Sequence, residues 1–278
     1  MDVSPHAEVT LGKAPYIELF MALDTTGSMS SNNKIGSLKE AANELVDTLF
    51  GYAGADIKIG VVPFAQYASI GGDYDSASWL ANPGAGFSGG VGARAYPFNT
   101  TDDDYGARPL PGLIGATCPQ KLLPLTDDAD DVKGVIDGLN ASGSTYIPAG
   151  LSLAWAALSP QAPFSEGVAY DQLVELNGVK ALLLMTDGIN TRSPDYPTHD
   201  GNNELLANDL TSETCENIKK EKIVVYTIAF EVTDAAIRDV LEGCASTPGN
   251  YFNASDRQAL LDAFSSIAGS LREISLSK

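Results

Sequence analysis

The stretch YIELFMALDTTGSMS, residues 16–30, decides how the chain is read. Its first eight residues are almost continuously apolar, and they stop abruptly at Asp24, where a Thr/Gly/Ser turn begins. A strand covered on both faces is written this way: a short apolar block that delivers a polar loop at its C-terminal end. Past the loop, Ile35, Leu38, Ala42, Leu45 and Leu49 recur at intervals of three and four, which marks one face of a helix. DIKIGVVPFA, residues 56–65, then returns to a β-branched run. The opening is therefore β–α–β, a unit that implies parallel strands.

Outward from this unit the same grammar repeats. Residues 121–125 read as a short strand, and 129–139 as a helix opened by acidic side chains, which the helix dipole favours. Residues 145–158 read as a helix with Pro148 in its first turn, where proline is tolerated. VKALLLM, residues 179–185, is a second buried strand that stops at Thr186-Asp187-Gly188. IVVYTIAF, residues 223–230, is a third, set between helical segments near 212–221 and 234–242. A short strand at 250–253 and a helix carrying Leu260, Phe264, Ile267, Ala268 and Leu271 close the pattern. The alternation predicts an α/β domain over residues 16–274, with a doubly wound, mostly parallel sheet and helices on both faces. Residues 1–15 read as a flexible N-terminal segment. Residues 69–117, dense in Gly, Pro, Asn and Asp, break the pattern and read as an insertion lying over one edge of the sheet. Its acidic triplet, Asp102 to Asp104, reads as a solvated surface run.

The 278 residues carry 17 basic and 36 acidic side chains, a formal charge of −19. With no cluster of Lys and Arg, nucleic acid is excluded as a partner and an anionic membrane surface is disfavoured. No apolar stretch approaches the ~20 residues of a membrane span. The N-terminus mixes charge, Pro and His and does not read as a secretory signal. The expectation is either a cytosolic protein or a soluble piece of a longer one. Three cysteines without a CxxC pair make a structural zinc site improbable. Cys215 lies in the helical segment before one strand and Cys244 follows the helix after it, and helices flanking one strand in successive crossovers lie side by side on one face of the sheet. A disulfide between them and two separate buried thiols both remain open, with Cys118 as the odd thiol.

Three loops stand where open α/β sheets form their ligand crevice: Asp24 to Ser30, Gly143-Ser144-Thr145, and Thr186-Asp187-Gly188. Each alone is a plain turn or helix cap. Together they offer two carboxylates and several hydroxyls, hard oxygen donors that suit a small divalent cation with waters completing its shell. His6 and His199 lie in irregular segments, so a Ser–His–Asp machine has little support, and no GxxxxGK[ST] loop is present.

DTTGSMS before a helix, GST before a second helix, and an apolar strand ending in TDG resemble a von Willebrand factor type A domain, whose fold is Rossmann-like. The resemblance implies a metal-ion-dependent adhesion site at Asp24, Thr26, Ser28, Thr145 and Asp187, with Thr26 where the family usually has Ser. It implies Mg2+, or Mn2+ or Ca2+, held by Thr26 and Ser28 directly, by Thr145 directly or through water, and by Asp24 and Asp187 mostly through water. An open coordination position would accept an acidic side chain from a partner protein. GVVPFA, LLPLTDD, GSTYIPAGLSLAWAALSP, VYTIAF and CASTPGNYFNA are similar to TadG-like proteins of the bacterial tight-adherence (Flp) pilus system. That likeness implies a non-enzymatic adhesion or pilus-assembly domain in the periplasm or at the cell surface, anchored in the full-length protein. A metal-free structural part of a pilus assembly complex is the alternative. A third reading is a haloacid-dehalogenase-like phosphatase, since DTTGS and TDGIN resemble its loops. There, however, Thr26 stands in place of the general acid, Thr191 in place of a metal-binding acid, and no convincing lysine is available for a phosphate.

Overall fold

The computed structural model describes residues 14–116 and 120–276. Most of the N-terminal segment, His6 and Cys118 lie outside the described residues. Strand β1 (Tyr16–Asp24) is buried at all nine positions. A 3-10 segment, Gly27–Asn33, leads from it into α1 (Lys34–Phe50). Then come β2 (Asp56–Phe64), β3 (Ala68–Ser69), β4 (Leu80–Ala81), β5 (Phe87–Val91), β6 (Leu110–Ile114) and β7 (Leu123–Thr126). The chain continues through α2 (Ala129–Asp137), α3 (Ile147–Leu158), α4 (Tyr170–Glu175) and β8 (Val179–Thr186). A small hairpin, β9 (Ser193–Asp195) and β10 (Thr198–Gly201), precedes α5 (Glu204–Lys220) and β11 (Val224–Phe230). Finally come α6 (Ala235–Cys244), β12 (Tyr251–Ala254) and α7 (Arg257–Leu276).

The sheet runs β12-β11-β8-β1-β2, and every pairing in that stretch is parallel. The chain leaves β1 for β2 on one side and returns to β8 on the other, so the strand order reverses at β1. That reversal opens a crevice at the C-terminal ends of β1 and β8. The strand period of two sorts side chains between the faces. Phe20 and Ala22 join Phe64, Leu182 and Val225 under α3, α5 and α6. Ile17, Leu19, Met21 and Leu23 join Val61, Leu183 and Ile228 under α1, α2 and α7. Three helices thus cover each face, as the alternating pattern predicts. Gly60 faces Phe20 across β1 and β2, and a Cβ there would stand 2.2 Å from the Phe20 ring. Glycine is what lets that ring lie against the neighbouring strand.

Residues 69–116, the described part of the expected insertion, depart from the expectation. They do not lie over the sheet edge; they extend the sheet. β3 pairs antiparallel with β2 through Phe64↔Ala68, β5 pairs with β3, and β6 with β5. β7 pairs antiparallel with β2 at Ile59 and Val61, so only the Phe64 end of the β2 edge is left for β3, and from there the segment carries the ladder outward and satisfies its backbone groups strand by strand. Trp79, Val91, Tyr105 and Leu110 from this segment are buried with Phe64, Leu151 and Trp155. The acidic triplet is not uniformly solvated either. Asp103 and Asp104 are exposed, but Asp102 is half-buried, accepts a bond from Gln161, and is pushed up to about 6 by burial.

Helix boundaries shift for local reasons. α5 begins at Glu204 rather than near 212, because the Asn203 side chain caps it by accepting from the Leu206 amide at 3.0 Å. α3 begins at Ile147 rather than 145, because the Tyr146 amide donates to Ala65 and the Thr145 amide to Thr191. α4 and the β9–β10 hairpin have no counterpart in the sequence pattern. Of the two readings of the cysteines, the disulfide is the one that forms: Cys215 in α5 and Cys244 at the end of α6 are bridged.

Candidate metal centre

β1 ends at Asp24, whose side chain is wholly buried. Its Oδ1 accepts from the Thr26 amide at 2.7 Å, an Asx-turn that folds the loop back over the strand end. Its Oδ2 accepts from the Thr186 hydroxyl at 2.6 Å, at the end of the adjacent strand β8. The hydroxyls of Thr26 and Ser28 lie 3.0 Å apart, and Ser28 donates to Asp187 Oδ1 at 2.6 Å. Asp24, Thr26, Ser28, Thr186 and Asp187 therefore form one hydrogen-bonded chain across the crevice. Ser28 and Gly27 are exposed while Asp24, Thr26, Thr145 and Asp187 are buried, so the group opens to solvent on the Ser28 side.

The loop of Thr145 is tied to both others through the backbone. The Gly27 amide donates to the Gly143 carbonyl at 2.9 Å, and the Ser142 amide to the Thr25 carbonyl at 2.8 Å. The amides of Thr191 and Arg192 both donate to the Thr145 carbonyl at 3.0 Å, and Thr191 Oγ1 accepts from the Thr145 amide at 2.8 Å. Thr191 thus clamps the loop before α3 to the loop after β8. All five residues singled out from sequence are brought to one crevice, through side chains for four of them and through backbone for Thr145.

Burial, reinforced by the charge of Asp187, pushes the Asp24 carboxyl up to about 6, against the opposing effect of its bonds from Thr186 and Thr26. Such a carboxylate pair is short of positive charge. The cation present is Lys34, the first residue of α1. Its Nζ donates to Asp187 Oδ2 at 2.9 Å and stands 3.6 Å from Glu231 Oε2. Sequence reasoning did not single out Lys34 as part of the site. The sequence carries one signal for it: a helix N-terminus disfavours a cation, yet α1 begins with lysine and has no acidic residue in its first turn. Thr186, read from sequence only as part of the loop after β8, bonds Asp24 directly, and Glu231 joins the site without any spacing or motif that assigns it, since only the folded sheet brings β11 to it.

Among the described residues no group of three or more His, Cys, Asp and Glu converges. The donors here are two carboxylates and three hydroxyl residues, all hard oxygen, with an uncompensated negative charge at Asp24. This donor set fits a hard divalent cation of the Mg2+, Mn2+ or Ca2+ kind that keeps several waters, and fits soft or borderline metals poorly.

No family model matches the chain, and no curated protein matches it by sequence. Solved structures do match it in three dimensions. The von Willebrand factor domain of the type V pili tip protein Mfa5 from Porphyromonas gingivalis superposes with a TM-score of 0.60 at 12% identity, covering 95% of this chain and 97% of that one. The open conformation of the pilus adhesin SpaC from Lactobacillus rhamnosus GG gives 0.57 at 14% identity, covering 94% of this chain and 30% of the adhesin. The PilB minor pilin from Streptococcus sanguinis gives 0.54 at 14% identity, covering 96% of this chain and 63% of the pilin. With its parallel sheet order, its three helices on each face and these neighbours, the chain has the Rossmann-like α/β fold of a von Willebrand factor type A domain.

Proposed function

We propose that this chain is a non-enzymatic, divalent-metal-dependent protein-binding domain serving bacterial adhesion or pilus assembly, of the TadG-like kind. The observation that carries the reading is the convergence of three loops on the buried, charge-deficient Asp24, with Ser28 at the solvent-facing mouth. Asp24, Thr26, Ser28, Thr145 and Asp187 would hold the ion, Mg2+ in the first instance. When bound, the ion supplies an electrophilic position that attracts a carboxylate of the partner. The chain's own residues do the rest. The Asx-turn at Asp24 fixes where the Thr26 and Ser28 hydroxyls point, and the Thr191 clamp holds the Thr145 loop in register with Asp187. The exposed rim of Gly27, Ser28, Ser142 and Gly143 lets a partner approach without displacing structure. The neighbours are pilus and adhesin domains, which supports a periplasmic or surface location for the intact protein.

The test is calorimetric titration of the domain with Mg2+ and Mn2+, beside Asp24→Ala. Binding by the wild type and its loss in the variant are expected; equal affinity in both would overturn the assignment. One observation favours the metal-free structural alternative: Lys34 already supplies Asp187 with a positive partner. The phosphatase reading gains nothing from Lys34, because that ammonium is bonded to Asp187 and near Glu231, and position 26 offers no general acid.

A further inference from the structure

Asp187 has both carboxylate oxygens engaged. Oδ1 accepts from Ser28, and Oδ2 accepts from Lys34. The Lys34 side chain is only 10% exposed, and the Asp187 side chain is not exposed at all. A cation so held is not a solvated surface charge, and burial makes its pairing with Asp187 strong and directional. An ion seated against Ser28 and Asp187 therefore meets a position whose electrostatic role a lysine already fills.

A second carboxylate within reach gives the ammonium somewhere else to go. Glu231 lies just beyond β11, with its Oε2 3.6 Å from Lys34 Nζ. It sits in the left-handed region with φ 53°, held there by its amide donating to the Ala254 carbonyl at 2.7 Å. Backbone strain of this kind in a residue other than glycine persists where the surroundings over-determine it. The fold thus supplies Lys34 with an acceptor besides Asp187. Lys34 pairs with two carboxylates, Asp187 and Glu231, while Asp24 accepts from the Thr26 amide and the Thr186 hydroxyl, which carry no charge.

From this geometry we propose that Lys34 is a tethered competitor of the divalent ion: it holds Asp187 while the site is empty and yields it on ion binding, keeping Glu231 as its partner. The proposal rests on the metal-binding reading of the same site and adds its regulation. Lys34 sets the ion concentration at which the site fills, because every ion that binds must first take Asp187 from the ammonium. Glu231 keeps the displaced ammonium from being left buried and unpaired, which would otherwise cost more than the ion gains.

The experiment compares Mg2+ affinity, by titration calorimetry and by the Mg2+-induced rise in unfolding midpoint, for wild type, Lys34→Met and Lys34→Arg. Lys34→Met, which keeps the stem and removes the charge, is expected to bind Mg2+ about tenfold more tightly, the worth of one buried charged hydrogen bond. Lys34→Arg keeps the charge and is expected to bind no more tightly than wild type. If Lys34→Met fails to fold without the ion, Lys34→Gln, whose amide still donates to Asp187, takes its place. Equal affinity of wild type and the uncharged variant overturns the proposal, and so does equal tightening in the Met and Arg variants, which would make packing the cause. If neither wild type nor variant binds Mg2+, the metal reading itself falls and the proposal with it, an outcome distinct from binding with equal affinity.

Discussion

Asp24 and His199 titrate in opposite senses within one pH window, and each leaves a separate mark on stability. Burial and the charge of Asp187 raise Asp24 to about 6 in the folded state. The fold then binds that proton more tightly than the unfolded chain does, so stability falls as pH rises from about 4 to 6. Two units correspond to roughly 3 kcal/mol lost at neutral pH without a metal. His199 is buried, with Nδ1 2.6 Å from the Gln66 carbonyl oxygen, so Nδ1 carries the proton and the ring is neutral. Burial lowers it to about 4. Here the unfolded chain binds the extra proton first, and stability falls as pH drops from about 6.5 to 4, again by roughly 3 kcal/mol. The two effects offset each other between those limits. Denaturant unfolding against pH in a chelator should show this: Asp24→Asn gains stability above pH 6 and exposes the acid loss due to His199, whereas His199→Phe flattens that acid loss. No gain for Asp24→Asn in chelator would mean that the buried carboxylate carries no cost. The five crevice residues are legible in the sequence because each follows an apolar strand or opens a helix. Lys34 is marked only by being a cation at a helix start and Glu231 by nothing, because their roles depend on how α1 and β11 meet the end of β1.

At the scale of elements, legibility follows how strongly each segment writes its burial. β1 and β8 are apolar blocks buried at every residue, interrupted inside only by Glu18 and Lys180, which pair with each other, and their sequence places their bounds to within a residue. The front half of α5 is silent because its buried stripe is made mostly of small or polar side chains, Ala207, Asn208, Thr211 and Thr214, with Leu210 the one large apolar residue among them, while Leu205 is 75% exposed. α4 buries none of its side chains and carries Val174 at 80% exposure, so no periodic signal exists to be read. α5 and α6 nevertheless pack side by side, and the Cys215–Cys244 bridge spans the strand between them with a sequence separation of 29. Closing a loop of that length restricts the unfolded chain by roughly 3–4 kcal/mol in the chain-entropy model. Replacing both cysteines by alanine is expected to lower unfolding stability by about that amount. Reductant should then destabilise the wild type and leave the double variant unchanged; a reductant effect of equal size in both would exclude the bridge as its source.

For the molecule as a whole, the segment whose composition suggests an overlying loop is part of the core. Turn-forming Gly and Pro dominate its count, but the few large side chains among them are the ones that matter. Trp79, in contact with Tyr74 and Phe164, buries an aromatic cluster against the face carrying α3. Tyr105 is wholly buried beneath the Arg94 guanidinium, which in turn donates to the carbonyls of Thr101 and Asp103. Burying a large aromatic side chain contributes about 1.5–3 kcal/mol each, so this segment carries a sizeable part of a stability that totals only ~5–15 kcal/mol. Excising residues 71–108 should therefore not give a trimmed but intact domain. The expected product binds a hydrophobic dye and loses a sharp unfolding transition, and its loss of partner capture would then say nothing about contact. Retention of cooperative unfolding with a midpoint within a few degrees of wild type would show that the segment is an appendage after all. A contact role is better tested at its exposed side chains, Tyr96 at 66% and Ile114 at 59% exposure. Serine at either position leaves the aromatic cluster in place, so a drop in partner capture there reports on the surface rather than on the fold.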